Sequence, residues 1–160
     1  MTYAAGTNVG EERSRAELQY ILERFGADQF GYASDRTTFQ ARIMFRFKGA
    51  NFAFSMPLAT PNDRRVKFTP SGKLRNGTQV AANMQDENRR RWRSLCLTVK
   101  AMLVGVEDGI FNFAEIFMPY MIWGDGRTTA QTLLPIVESD IKSGNGLRML
   151  STSNLLESKP

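Results

Sequence analysis

The stretch "TFQARIMFRFKGANFAFSM" (residues 38–56) alternates apolar and polar side chains with a period of two, and no other feature constrains the chain as strongly. Phe39, Ala41, Ile43, Phe45 and Phe47 fall on one face of an extended strand, and Gln40, Arg42, Met44, Arg46 and Lys48 on the other. The residues "GAN" then turn the chain, and Phe52, Phe54 and Met56 repeat the alternation. A further strand, "QFGYAS" (29–34), precedes them across a turn around Ser34 and Asp35. The pattern predicts a three-stranded antiparallel meander with one aromatic and one basic face. An aromatic face left in water would forfeit its burial energy, so helices must cover it. The expected fold is therefore α+β.

Two amphipathic segments supply the cover. "SRAELQYILERFG" reads as an N-terminal helix, with Ser14 and Glu17 as a capping box, Leu18, Ile21, Leu22 and Phe25 at helical spacing, and Gly26 as a left-handed stop. Residues 1–13, which show no hydrophobic period, are expected to form a flexible arm. A long central helix is expected from about Ala81 to Asp108, with Gly109 as its stop. At about 100° per residue, Trp92, Leu95, Cys96, Val99, Met102, Leu103 and Val106 share one face. Leu97, Ala101 and Val104 lie on the far side, so its second half is expected to be buried on several sides. Between the sheet and this helix, "PLATPNDRRVKFTPSGKLRNGTQ" has no convincing period and reads as a long loop or short hairpin. After it come a short helix capped by Asn112 and Glu115, an extended "YMIW", a turn at "GDGR" and a helix capped by Thr128 and Gln131. Pro135 either kinks or divides that last helix, and Gly144 ends it. The single domain spans 14–144, with a partly ordered tail over 145–160.

Residue usage removes several kinds of chemistry. The 160-residue chain has no histidine and one cysteine, so histidine-based triads and most zinc sites are excluded. Cys96 lies on the buried helix face and reads as a small core residue. Glu107, Asp108, Glu115 and Asp125 could ligate Mg²⁺ by type, but capping, turn formation and helix closure account for them. "GDGR" lacks the preceding buried strand and the lysine of a phosphate loop. No cofactor, no catalytic residue and no metal site is expected. The first thirteen residues lack the apolar core of a signal peptide and no apolar stretch is long enough to span a bilayer; the expectation is a cytoplasmic protein without a membrane segment.

The net charge of +5 is unevenly distributed. Residues 61–75 carry five basic and one acidic group, residues 86–100 five and two, and residues 101–160 four and seven. The candidate binding surface has three parts: Arg64, Arg65, Lys67, Lys73 and Arg75 on the loop, Arg89, Arg90 and Arg93 at the helix start, and Arg42, Arg46 and Lys48 on the strand face. Clustered arginines and lysines neutralise phosphates without reading sequence.

From "RRRWRSLCLTVKAMLVGVEDG" through "FNFAEIFMPYMIWGDGRTTAQTLLP" the chain resembles a family of small proteins encoded by tailed bacteriophages and prophages. The resemblance is carried by Arg91, Trp92, Arg93, Leu95, Lys100, Ala101, Leu103, Val106, Glu107 and Gly109, then Phe113, Phe117, Asp125, Gly126, Thr128 and Pro135. The segments "SRAELQYILERFGADQFGY" and "LATPNDRRVKFTPSGKLR" are similar too, and the C-terminal tail departs. The resemblance implies a role in phage DNA metabolism in the host cytoplasm and carries over no catalytic residues. The expected function is a non-enzymatic accessory protein that binds nucleic acid with low specificity, single-stranded DNA or a replication intermediate, as a possible homo-oligomer. The alternative is a counter-defence protein that binds and inhibits a host protein or sequesters a nucleotide signal.

Overall fold

The structure, a computed structural model, describes residues 10–144. Helix α1 (Glu11–Phe25) leads into a sheet of β1 (Gln29–Asp35), β2 (Gln40–Phe47) and β3 (Ala50–Pro57), antiparallel in the order β1-β2-β3. A one-turn helix α2 (Arg64–Lys67) and the long α3 (Gly77–Glu107) follow. Helix α4 (Phe113–Phe117), a 3₁₀ turn (Met118–Tyr120) and α5 (Thr129–Lys142) complete the chain. The α+β fold follows from the alternation in 38–56: Phe45 pairs with Phe30 and Phe52, and Ile43 with Tyr32 and Phe54, which lines up the aromatic face across all three strands.

That face is covered as its chemistry requires. Leu18 and Leu22 of α1 and Trp92, Cys96, Val99 and Leu103 of α3 are buried against Ala41, Ile43, Phe45, Phe52 and Phe54. At one end Phe113 and Phe117 seal the sheet: Phe113 lies 4.5 Å from Phe47 and 5.5 Å from Phe52, and Phe117 6.2 Å from Phe45, ring centre to ring centre. Trp92 meets the Tyr32 ring edge-on at 6.2 Å, and the Arg15 guanidinium lies over both rings.

Expectation and structure differ in five places. The turn between β1 and β2 lies at 36–39 and not around Ser34 and Asp35, which pair with Ala41 and Gln40, and β2 starts at Gln40 because Phe39, expected on the strand's aromatic face, stands in that turn at positive φ (51°). Helix α1 begins before Ser14, because Ser14 N–H already donates to Gly10 O at 3.1 Å; Gly10 is the N-cap and Glu11 and Glu12 face the positive end of the helix dipole. Residues 11–13 thus belong to the helix and not to an arm, while residues 1–9 and the tail expected over 145–160 lie outside the described residues. Helix α3 begins at Gly77, four residues earlier than expected, because Asn76 and Gln79 form a reciprocal capping box. The turn between β2 and β3 is Lys48–Gly49, both at positive φ (49° and 80°), so Lys48 is a turn residue and Ala50 and Asn51 belong to β3. Finally, the far side of α3 is not enclosed. Ala101 is exposed and Val104 is 43% exposed, since α1 and the sheet cover only one side.

The remaining helix ends match the sequence signals. Gly109 terminates α3 with Gly109 N–H donating to Val106 O and Ile110 N–H to Gly105 O, the double bond pattern of a left-handed stop. The Asn112/Glu115 and Thr128/Gln131 boxes are both formed, and α5 runs through Pro135 without dividing. Between them Met121 and Ile122 pair beside β3, where Ile122 N–H donates to Asn51 O.

Trp92 is 1% exposed at the centre of the α1–α3–sheet junction. Trp92→Ala should therefore cost about 3 to 5 kcal/mol of stability. Chemical denaturation of the purified variant checks this; an unchanged midpoint would make Trp92 a contact residue and not a core one.

Candidate nucleic-acid interface

The basic half of α3 carries its own counter-charges one turn earlier. Arg89 pairs with Asp86. Glu87, 8% exposed, accepts from Arg90 Nε at 2.9 Å and from Arg91 Nε at 3.1 Å. Arg91 also donates to Pro57 O at 3.0 Å and to Asp63 Oδ2 at 2.6 Å, which fastens the loop after β3 to the helix. Arg93 Nη1 donates to Glu17 Oε2 at 2.5 Å and ties α3 to α1. Burial opposes ionisation of Glu87, but the hydrogen bonds and charges of Arg90 and Arg91 outweigh it and hold its carboxyl below the ordinary 4.5. For Asp63 burial is likewise overcome, here by hydrogen bonds from Thr60 and by Arg91, and its carboxyl lies below the ordinary 3.8.

The arginines of the sheet are also engaged, and they lie on the face turned away from α3. Arg46 grips Asp28 through Nε at 2.9 Å and Nη2 at 2.7 Å. Arg42 Nη2 donates to Gly126 O at 2.9 Å, so the 123–127 turn reaches over this face, where Ala53 is buried as well. Lys48 stands in its turn with the ammonium 5.3 Å from the Phe47 ring centre. Arg42 and Arg46 therefore lie across the sheet from α3 and its arginines, and Lys48 stands at the sheet's end in the β2–β3 turn, so the strand-face part of the expected surface is not continuous with the helix part.

The loop cluster is different. Val66, fully buried, anchors α2 beside α3, and the cations around it point outward. Arg64, Arg65 and Lys73 are exposed and Lys67 is half-buried over the Phe68 ring at 5.9 Å. Arg64, Lys67 and Lys73 form no ion pair with any described residue. Arg75 instead turns back, and its Nη1 donates to the carbonyls of Arg65 at 2.7 Å, Val66 at 3.2 Å and Phe68. These are the orphan acceptors at the end of α2 and beyond it. A bridge between Phe68 and Leu74 closes the hairpin, and an open hollow of about 700 Å³ lies among Arg64, Arg65, Phe68, Thr69 and Arg75.

Of the eleven candidate residues, the hollow thus draws on Arg64, Arg65 and Arg75, with Lys67 and Lys73 on the same hairpin. The pairings of Arg89 and Arg90 were signalled by acidic residues three positions before them; those of Arg42, Arg46 and Arg93 connect distant segments. Phe68 and Thr69 carried no signal, because their place beside the cations depends on the hairpin closing.

Among the described residues no group of three or more His, Cys, Asp or Glu side chains is placed to hold a metal, and no helix is long and apolar enough to cross a membrane. Asp125 pairs with Arg127 at 2.8 Å and Glu115 caps α4. Cys96 is fully buried, and burial, aided by the Glu17 carboxylate, pushes its thiol up to about 11.

Three outcomes are expected. A group whose pKa is lowered by folding stabilises the fold above its unfolded value and loses that contribution as pH falls through the folded value. Melting temperature should hold from pH 7 to about 5 and fall below pH 4.5 as Glu87 and Asp63 take up protons. Glu87→Ala, which takes the carboxylate from Arg90 and one of the acceptors from Arg91, should cost about 1 to 3 kcal/mol at neutral pH; a parent-like melt would refute the network. Separately, iodoacetamide at pH 8 should leave Cys96 unlabelled in the folded protein and label it in denaturant, as read by mass spectrometry. No family model, curated protein or solved structure matches this chain.

Proposed function

We propose that this is a non-enzymatic protein that binds nucleic acid, single-stranded DNA or a replication intermediate, through α2 and the hairpin that follows it. One observation carries the reading. Arg64, Lys67 and Lys73 stay outside every ion pair among the described residues, while the arginines of α3 are matched to Asp86, Glu87, Asp63 and Glu17. Residues 61–75 carry five cations against Asp63 alone, and Arg91 answers Asp63. Holding uncompensated like charges together costs folding energy by mutual repulsion, and a polyanion that neutralises them recovers it while releasing its counterions. The resemblance to phage-encoded proteins supports placing this role in phage DNA metabolism.

A second reading, docking on a host protein, has its own support. In α5, Leu133, Leu134, Ile136, Val137 and Ile141 are each between 46% and 62% exposed, and exposed apolar clusters of this kind are typical of protein-binding surfaces.

Replacing Arg64, Arg65 and Lys67 together by glutamine tests the first reading. Stability should change by less than about 0.5 kcal/mol per site, since these are surface positions. Binding should weaken alike for every sequence tried, and the slope of log affinity against log salt should flatten by about 0.7 to 0.9 for each phosphate no longer neutralised. Gel shifts with labelled single- and double-stranded oligonucleotides at two salt concentrations read both. A parent protein that binds neither strand form at low salt would overturn the nucleic-acid reading and favour the protein-docking one.

A further inference from the structure

The hollow on the hairpin is built for more than a diffuse charge. Arg75 lies in it as a fixed guanidinium: three backbone carbonyls hold Nη1, while Nε and Nη2 have no partner among the described residues. A planar cation whose position is set before a ligand arrives gives directional hydrogen bonds to a phosphate at little entropic cost. Arg64 lines the same hollow and has no partner of its own among the described residues. The hairpin that holds Arg75 is itself tied together, with Lys73 N–H donating to Thr69 Oγ1 at 3.0 Å and Arg75 N–H to Lys67 O at 3.0 Å.

Beside these cations stands Phe68, 37% exposed. The phenylalanines of the sheet and of α4 are packed in the core, but among the described residues the Phe68 ring makes an aromatic contact with the Lys67 ammonium only. A cation on one part of the ring and open space over the hollow make it a platform for a second flat group.

Resting on the nucleic-acid reading, we infer that the hollow takes one unpaired nucleotide unit, its phosphate against Arg75 and Arg64 and its base stacked on Phe68. Duplex bases have both faces occupied by their neighbours and cannot reach the ring, whereas a single strand offers a free face with each phosphate. Charge then sets affinity for any nucleic acid, and Phe68 sets the preference for single strands. The same phosphate-plus-base chemistry exists in a free nucleotide, and the preference for a strand comes from the adjoining Lys67 and Lys73, which would take neighbouring phosphates.

The experiment compares the full chain with Phe68→Leu and Phe68→Tyr, using a fluorescein-labelled 20-mer of deoxythymidine and a mixed-sequence 20-base-pair duplex at fixed salt. Melting curves establish that each variant folds. Phe68→Leu should weaken single-strand binding by about 5- to 100-fold, the range set by removal of one base stack, and leave duplex binding within about twofold. The salt slope should not change, because every phosphate keeps its cation. Phe68→Tyr should bind as the parent does. If Phe68→Leu leaves single-strand affinity unchanged, or lowers both forms equally, the stacking site is wrong while the charge-based reading stands; if the parent binds neither form, that reading has failed itself. Thymidine monophosphate that competes as strongly per mole as the 20-mer would overturn the strand as the ligand and assign the hollow to free nucleotides.

Discussion

The structure depends on covering one aromatic face. Phe45, Phe52 and Phe54 stack across β2 and β3 at 5.1 and 5.9 Å, and the layer above them consists of Phe117, Phe113, Trp92 and the leucines of α1. An aromatic sheet face left in water forfeits its burial energy, and here the helices packed on it supply the cover. This requirement assigns roles to the rest of the chain. The apolar face of α3 is committed to the sheet, its arginines are displaced to the flanks, and the segment after Gly109 must return with two phenylalanines to close the open end. The close approach of that segment is visible at Gly105, where a β-carbon would come within 2.8 Å of the Phe111 ring.

Once the sheet has claimed α3, the arginines at its start serve mainly as fasteners. A guanidinium has five donors in a rigid fork, so one residue can join several segments. Arg91 joins β3's end, the Asp63 turn and Glu87 of its own helix; Arg93 joins α1. Each of these bonds is worth little at a fully exposed site, but Glu87 is almost wholly shielded and Arg91 only 20% exposed through its side chain, so removing either partner strands a charge out of water. A run of arginines that looks like a binding stripe in one dimension is here largely the seam between helix and loop.

The two periods in the sequence made the fold legible, and single side chains limited what else could be read. Strand faces over 40–47 and 50–57 followed from the alternation, because a period of two leaves no freedom of orientation, whereas Phe39 and Lys48 fall in the flanking turns. The start of α3 was missed because Gly77 and Thr78 are poor helix formers that hid the Asn76 cap. Ser14 misled for the opposite reason: Ser-x-x-Glu is a cap signal wherever it occurs, yet three more helical residues preceded it, two of them, Glu11 and Glu12, acidic and favourable at the helix start. For the candidate site, the loop's cations were found from composition. The separation of Arg42 and Arg46 from the α3 arginines was not, since it depends on which strand face α3 covers together with where the 123–127 turn lands. Arg75 was legible as a charge and illegible as a clamp, because three carbonyls converge only after α2 has ended and the hairpin has formed.

Arg75 also links the fold of the hairpin to its chemistry. The hairpin has little apolar burial of its own beyond Val66, and its hydrogen bonds lie near solvent, so it belongs to the less protected part of the molecule. Lysine at position 75 would keep the charge yet could not span three carbonyls and still present planar donors outward. The cation that organises the loop is therefore also one that lines the hollow. A ligand that binds the closed hairpin and not the opened one must stabilise the closed form in proportion to its concentration over its dissociation constant. On the proposed reading, phosphate binding and hairpin closure would be one equilibrium, with the Arg75 guanidinium as the element shared between them.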